Sequence, residues 1–213
     1  MRPSGTRAGY GARVAAAFGL LALLVGVGCS SEPPEDKNYV QRIASARATK
    51  DAAFLKDSEP VPKDRKAELL PLDYFAIDED YRAPAVLKVG DDRTVLQMPT
   101  STGGQRQMRR VGSLEFVLKG QPLKLTAFVE VGAPNLDHLF VPFTDLTTGT
   151  ETYPAGRYID LDRNQTGIYQ VDFNRAYHPY CYYNAAYDCP YPPQENRLKV
   201  PIRAGERLKR PKA

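Results

Sequence analysis

Two cysteines and a histidine lie close together near the carboxyl end of the chain, at Cys181, Cys189 and His178. Neighbouring thiols in an exported protein form disulfides, and the amino end of this chain indicates export. We therefore expect a disulfide between Cys181 and Cys189 that holds the tyrosine-rich loop between them. Two alternatives use the same side chains: a zinc site with His178 and an aspartate, and a Cys181 nucleophile with a histidine as its base.

The signatures of an enzyme are few. The spacing of His178 and the two cysteines matches no compact zinc motif, so we expect no metal and no cofactor. The sequence contains no nucleophile elbow, phosphate-binding glycine loop or dinucleotide fingerprint. A carboxylate pair such as Asp172 with Glu195 is one possible acid and base, and the thiol is one possible nucleophile. A hydrolase or thiol-dependent enzyme is therefore the second hypothesis, behind a binding function.

A set of charged, amide and phenolic side chains alternates with residues expected to be buried. These candidate binding residues are Arg157, Asp172, Asn174, Arg175, Tyr177, Glu195, Asn196 and Arg197. Charges close to a core must be paired and hydrogen-bonded, so one interpretation is an internal network. The second leaves an arginine open at a strand end, where it would bind a carboxylate or phosphate between tyrosine rings. The many prolines and asparagines favour the network, and the pocket stays open as the second interpretation.

Several pieces of this region together resemble one family. They read TDLTTGTETYPAGRY, VDFNRAY, CP followed by PPQENRL, and IRAGE. The chain is similar in these motifs to the domain-of-unknown-function family numbered 1684, over most of the length that remains after export. The resemblance implies a shared fold and supplies no activity, substrate or cofactor.

The amino end has the pattern of an export signal. Three arginines precede an apolar run over residues 14–27, which is too short for a permanent membrane helix. Gly28 followed by Cys29 resembles the recognition box of bacterial lipoproteins, which implies removal of residues 1–28 and acylation of Cys29. Ser30 then implies, in a bacterium with two membranes, the periplasmic face of the outer membrane. Acyl chains on Cys29 would make the membrane a partner.

The net charge argues against a nucleic-acid partner. The whole chain carries +4 and the signal holds three arginines and no acid, so the mature chain keeps 4 − 3 = +1. Such a charge provides no extended basic surface for phosphates. The remaining 213 − 28 = 185 residues suffice for one domain with a core of its own.

The elements that position these residues begin with a tether over 29–37, polar and rich in proline. Residues 38–70 predict a helical segment: the stretch 38–56 has no Pro or Gly, places Val40 and Ile43 at helical spacing, and predicts an amphipathic helix. A second, short helix is expected over 64–70.

Residues 71–213 predict a β-rich domain, because the hydrophobic period changes from helix to strand. Two hairpins are expected, one joining 85–89 to 94–98 and one joining 114–118 to 123–129. Further strands are expected over 139–143, 158–161, 168–173 and 198–202. The predicted fold class is mainly β (α+β): an antiparallel β-sandwich or partly closed barrel, preceded by the amino-terminal helix.

These observations predict a lipid-anchored envelope protein that binds a small anionic molecule, a cell-wall component or an envelope protein. The alternatives are the enzyme already described and a structural assembly partner at the outer membrane. An enclosed cavity would favour a ligand, and a flat apolar surface would favour a protein partner.

Overall fold

The structure, a computed structural model, describes residues 38–57, 59–91, 94–134 and 137–209. The predicted signal peptide, the lipidation site Cys29 and the tether lie outside the described residues and stay predictions. Among the helices within those ranges, none has the length and apolar character needed to cross a membrane.

Helix α1 spans Tyr39–Lys56 and confirms the predicted amino-terminal helix. Its many alanines and its lack of Gly and Pro favour this conformation. The buried residues of the helix are Tyr39, Ile43 and Phe54. The expectation that Val40 shares the apolar face is wrong, since Val40 is 48% exposed and its neighbour Tyr39 is buried instead.

The predicted second helix is also present, as a short one. A 3-10 turn at Lys63–Arg65 leads into α2 at Lys66–Leu69. Leu69 packs in a small apolar cluster with Phe54 of α1 and with Tyr183. This cluster therefore packs the helical segment against the carboxyl-terminal part of the β-rich domain.

The described strands are β1 (Asp73–Tyr74), β2 (Arg82–Val89), β3 (Val95–Pro99), β4 (Gln105–Leu118), β5 (Gln121–Glu130), β6 (His138–Phe143), β7 (Arg157–Asp162), β8 (Ile168–Asp172) and β9 (Glu206–Arg207). Seven of them form one antiparallel sheet in the order β7-β6-β5-β4-β2-β8, with β3 also paired to β4. The end strands β7 and β8 approach each other, so the sheet curls into a nearly closed barrel. This confirms the predicted fold class in its barrel form. Strands β1 and β9 pair separately.

Strands β4 and β5 form the hairpin that the sequence predicts. Their register pairs Leu118 with Gln121 across a two-residue turn. Lys119 and Gly120 in this turn have φ of 47° and 77°, the left-handed conformation that a tight hairpin requires. The local sequence therefore determines this part of the sheet.

The other predicted hairpin is wrong. Residues 85–89 and 94–98 do not pair with each other, because β2 and β3 both pair with β4. Strand β4 is 14 residues long and bonds β3 along its first part and β2 along its second. Because β4 is long enough to pair with both strands, β2 and β3 bond to β4 instead of to each other.

The last predicted strand, over 198–202, is wrong as well. Ile202 donates its N–H to the Asp145 carboxylate at 3.2 Å rather than to a neighbouring strand. Pro201 has no N–H to donate, which also prevents a regular ladder. The side chains of Leu198 and Ile202 are nevertheless buried in the barrel core.

Gly205 offers a test of the close packing around this segment. Its φ is +77°, and a Cβ would lie 2.7 Å from the carbonyl oxygen of Phe173 and closer still to that of Ala176. Gly132 is a matched control, because its φ is +82° and nothing lies within 4 Å of its Cβ position. Gly132→Ala should cost about 1–2 kcal/mol for the left-handed backbone alone.

We expect Gly205→Ala to lower the free energy of unfolding by about 2 kcal/mol more than Gly132→Ala, because backbone atoms must move to admit the methyl group. Urea denaturation of both variants measures the difference. Equal losses in the two variants would mean that the backbone around Ala176 moves without cost.

Candidate functional site

Arg157 lies inside the protein, with no exposed surface. Its Nη2 donates to Asp145 Oδ2 at 2.9 Å and to the carbonyl of Ile202 at 2.7 Å. Its Nη1 donates to the carbonyls of Ala204 and Glu206. Burial lowers the pKa of Arg157, and the ion pair with Asp145 opposes that shift. Both terminal nitrogens are used by the protein, so Arg157 belongs to an internal network.

Asp172 and Asn174 hold the start of α1 against the barrel. Asp172 Oδ1 accepts hydrogen bonds from the Tyr39 hydroxyl at 2.8 Å and from the Asn174 backbone N–H at 3.0 Å. Asn174 Nδ2 donates to the carbonyl of Asp78 at 2.7 Å. Arg175 lies outside them, with Nε 3.4 Å from Asp172 Oδ2 and 55% of its side chain exposed. These contacts fix a helix and leave Arg175 at the surface.

Glu195, Asn196 and Arg197, the last three predicted residues in the chain, lie apart from both of these groups. Asn196 is buried and forms two hydrogen bonds with the backbone of Thr126, at 2.7 Å and 2.9 Å. Glu195 makes a two-point ion pair with Arg110, at 3.0 Å and 3.1 Å. Arg197 is exposed. The structure therefore does not bring the eight predicted residues into one site.

Tyr177, the remaining member of the set, lines a cleft of about 570 Å³ that we call the tyrosine cleft. The cleft lies between α1, strands β4 to β7 and the segment 177–190. Its volume is typical of small-molecule sites, which are roughly 300–1,000 Å³. Its aromatic lining consists of Phe140, Tyr158, Tyr177, Tyr180 and Tyr187, and its ionisable lining of Lys50, Arg106, Glu130, His138, Asp160, Asp188 and Cys189.

The rings of the tyrosine cleft fall into two groups. Tyr158 packs edge-on against Phe140 at 4.7 Å between ring centres and against Tyr177 at 5.8 Å. Tyr180 and Tyr187 pack edge-on at 5.2 Å, and Tyr180 is 43% exposed. Such perpendicular pairs are favourable, because the positive edge of one ring meets the negative face of the other. The cleft thus has a rigid aromatic wall with an accessible ring.

Asp160 contributes a carboxyl group to the cleft from β7. The Tyr177 hydroxyl donates to Asp160 Oδ2 at 2.6 Å. Asp160 stays accessible to solvent, but the protein around it displaces part of its water and raises its pKa, and the bond from Tyr177 partly opposes the shift. A carboxyl group in this state can accept a hydrogen bond from a ligand or exchange a proton with it.

The two cations of the cleft are already paired with carboxylates of the protein. Lys50 Nζ lies 2.5 Å from Glu206 Oε1. Arg106 lies 3.5 Å from Glu130 Oε2 and 3.8 Å from Asp188 Oδ2. The cleft is therefore polar without a strong charge of either sign.

Cys181 and Cys189 are buried neighbours at the edge of this cleft. Both are free thiols, and the Cys181 backbone N–H donates to Cys189 Sγ at 3.1 Å. Hydrogen bonds from Cys189, and then from Ser101 and Tyr153, lower the pKa of Cys181 to about 6. The structure brings the two residues together, and their disulfide stays a prediction.

His178 does not face the thiols as a base or metal ligand in the described contacts. Its Nε2 accepts a hydrogen bond from the Tyr153 backbone N–H at 3.3 Å, and its ring packs on Tyr182 at 4.5 Å. Burial lowers the pKa of His178 to about 3, so the ring is neutral at neutral pH. Within the ranges that the structure describes, no three His, Cys, Asp or Glu side chains are grouped as metal ligands.

Comparison with family models matches residues 68–207 to a family described as protein of unknown function (DUF1684). The chain belongs to this family. The match contains all the strands from β1 to β9 and most of the lining of the tyrosine cleft, whereas α1 with Lys50 precedes it. The resemblance carried by the carboxyl-terminal motifs is therefore confirmed.

A solution NMR structure of an uncharacterised protein from Haloarcula marismortui is similar to this DUF1684 protein. The two chains share 34% sequence identity with a TM-score of 0.64, over 80% of this chain and 95% of that chain. Among curated proteins, the search found no significant match. These findings establish the family and its fold and assign no activity.

Sequence reasoning missed most of the cleft. Asp160 and Arg106 lie at positions of the strands where the alternation of apolar and polar residues predicts exposure, and side chains at such positions are usually solvated. The density of tyrosines between 177 and 191 was the available signal, and it does indicate one wall of the site. The opposite walls come from residues distant in sequence.

The internal role of Arg157 predicts the response to its removal. Arg157→Met leaves Asp145 buried without its cation, and we expect a loss of about 3–5 kcal/mol in the free energy of unfolding. Arg157→Met combined with Asp145→Leu should lose less than the sum of the two single changes. The control Arg175→Met removes a half-exposed ion pair and should cost under about 1 kcal/mol.

Chemical denaturation of the four variants measures these values. If Arg157→Met proves as mild as Arg175→Met, the buried ion pair does not hold the carboxyl-terminal segment in place.

Proposed function

We propose that this DUF1684 protein is a lipid-anchored binding module of the cell envelope that takes a small molecule in the tyrosine cleft. The observation that carries the proposal is the cleft itself, about 570 Å³ of space walled by aromatic rings and ionisable side chains. A concave site with a largely aromatic lining and a few convergent polar groups is the usual form of a small-molecule site.

The geometry shifts the proposed site away from Arg157 and Arg175. Arg157 is enclosed and bonded by the protein, and Arg175 lies at the surface beside α1. The sequence suggested a ligand bound by an arginine guanidinium, but the terminal nitrogens of Arg157 are already bonded by the protein. The tyrosine walls expected around such a ligand do exist, at Tyr177 and Tyr180.

The anchoring part of the proposal is supported by the sequence alone. A basic start, the apolar run and Gly28-Cys29 form a lipoprotein-type signal. On this proposal the acylated Cys29 holds the protein at the periplasmic face of the outer membrane, and the cleft would meet molecules of the cell wall or envelope there.

A disulfide between Cys181 and Cys189 would stabilise one wall of the tyrosine cleft. Tyr180 directly precedes Cys181 and Tyr187 lies two residues before Cys189, and both rings line the cleft. The short approach of the Cys181 N–H to Cys189 Sγ, 3.1 Å, supports such a bond after export to an oxidising compartment. The bond would limit the motion of both rings.

A thiol-dependent enzyme is the second candidate function. The hydrogen bonds that lower the pKa of Cys181 to about 6 favour a thiolate there. The same thiol is only 8% exposed, which restricts access by a substrate. Formation of the disulfide would remove this candidate.

Binding in the cleft can be tested before the ligand is known. The lipidated full chain, extracted from envelopes of an expressing bacterium, should carry a non-covalent small molecule detectable by native mass spectrometry. Ala133→Trp places an indole in the cleft lining and should remove that mass, whereas Ala52→Trp on the exposed side of α1 should retain it. A mass retained in Ala133→Trp, or none in the unaltered chain, would contradict binding in the cleft.

Anchoring is tested by changing Cys29. We expect the unaltered chain to sediment with outer-membrane vesicles and to have the mass of residues 29–213 plus acyl groups, whereas Cys29→Ser should lose both properties. Alkylation of the same sample, unfolded in denaturant without reductant so that buried thiols are reachable, should leave Cys181 and Cys189 unmodified if they are joined. An unacylated chain in the soluble fraction, or two alkylated thiols, would contradict the corresponding part of the proposal.

A further inference from the structure

We infer that the ligand of the tyrosine cleft is an uncharged, hydroxyl-rich ring with an apolar face, the chemistry of a sugar unit in a glycan. The inference deepens the proposed function and rests on it. Asp160 would accept hydrogen bonds from ligand hydroxyls, and the ring of Tyr180 would cover the apolar C–H face, with Tyr187 edge-on beside it.

The aromatic lining matches one face of such a ligand. Tyr180 is 43% exposed, which is unusual for a ring that packs at 5.2 Å against Tyr187 and at 6.4 Å against Phe54. The contacts hold this accessible ring in a fixed orientation, so little side-chain entropy is lost when a ligand covers it. The negative face of an aromatic ring attracts the weakly positive C–H groups of a sugar.

The polar lining matches the hydroxyl groups. The Tyr177 hydroxyl donates to Asp160 Oδ2 at 2.6 Å, and the described residues place no hydrogen-bond donor on Oδ1. One oxygen of the carboxyl group is thus oriented by the protein and the other can accept from a ligand. A site built to bond a hydroxyl discriminates strongly against molecules that lack one.

The charges of the cleft argue against an ionic ligand. An anion would need a free cation, but Lys50 is paired with Glu206 and Arg106 with Glu130 and Asp188. A cation would meet the ammonium of Lys50, which already lies over the Tyr177 ring at 5.1 Å. Since both cations are already paired and the free oxygen of Asp160 can accept from a hydroxyl, a neutral polar molecule fits these contacts best.

The test uses the lipidated full chain in a detergent without a sugar headgroup. Four probes are titrated by calorimetry: N,N′-diacetylchitobiose, maltose, inorganic phosphate and spermidine. We expect one of the two sugars to bind, and phosphate and spermidine to give no heat. Sugars linked differently can come from cell wall or from storage glycans, and the comparison of the two sugars separates these sources.

Two matched pairs of variants locate the binding. Tyr180→Ala should weaken sugar binding about tenfold, the loss of one ring contact, whereas Tyr191→Ala, an equally exposed tyrosine outside the cleft lining, should not. Asp160→Ala should weaken binding similarly, whereas Asp64→Ala, an exposed aspartate outside the lining, should not. Thermal melting of each variant confirms that it is folded.

The outcomes separate the ligand class from the binding function. If phosphate or spermidine binds instead, and Ala133→Trp abolishes that binding, the sugar inference fails and the proposed function stands. If no probe binds while the native complex still loses its small molecule in Ala133→Trp, the inference fails in the same way. If there is neither probe binding nor a co-purified molecule, both are overturned.

Discussion

The buried ion pair of Arg157 and Asp145 determines how the carboxyl-terminal part of this protein is built. A buried guanidinium needs hydrogen-bond acceptors from the protein, and here one carboxylate and three backbone carbonyls accept from its two terminal nitrogens, while Nε has no partner among the described residues. Those carbonyls belong to Ile202, Ala204 and Glu206, and within the segment 202–206 only Glu206 lies in a strand, the short β9. The irregular path of this segment, with Gly205 in a left-handed conformation against the turn at Ala176, is the consequence of solvating a charge inside a β-barrel.

The same segment ends in a second buried charge, Glu206, whose contacts hold one side of the tyrosine cleft. Glu206 is 2% exposed and accepts from the Tyr183 hydroxyl at 2.5 Å and from the His178 backbone N–H at 2.8 Å. It also pairs with Lys50 of α1. One carboxylate thus joins the helix, the tyrosine-rich segment and β9. Because Lys50 lines the tyrosine cleft, the network that holds the fold together also fixes one side of the site.

The sequence predicted those elements whose partners are local. Alternation over residues 114–129 gave the β4–β5 hairpin, and alanine-rich periodicity gave α1, since both depend on neighbours within one turn or one hairpin. It failed for 198–202, where the distant Asp145 and Arg157 take the N–H and the carbonyl of Ile202. The prediction of the candidate site failed for a related reason. The sequence does not show whether an arginine is buried, as Arg157 is, or exposed at the surface, as Arg175 is. The cleft lining combines Lys50, Arg106 and Asp160, which only the tertiary fold brings together.

The proposed lipid anchor at Cys29 and the proposed ligand of the tyrosine cleft are compatible with each other. Nine residues, 30–38, lie between the acylated Cys29 and the start of α1 at Tyr39, and an extended chain of that length reaches at most about 30 Å. On the proposed anchoring, the first residue of α1 stays within that reach of the membrane surface. A ligand fixed in the envelope could be met there without diffusion of the protein, so even weak contacts would give occupancy, because tethering raises the effective concentration. A neutral cleft suits this setting, since selection by ring shape and hydroxyl pattern does not weaken as ionic strength rises.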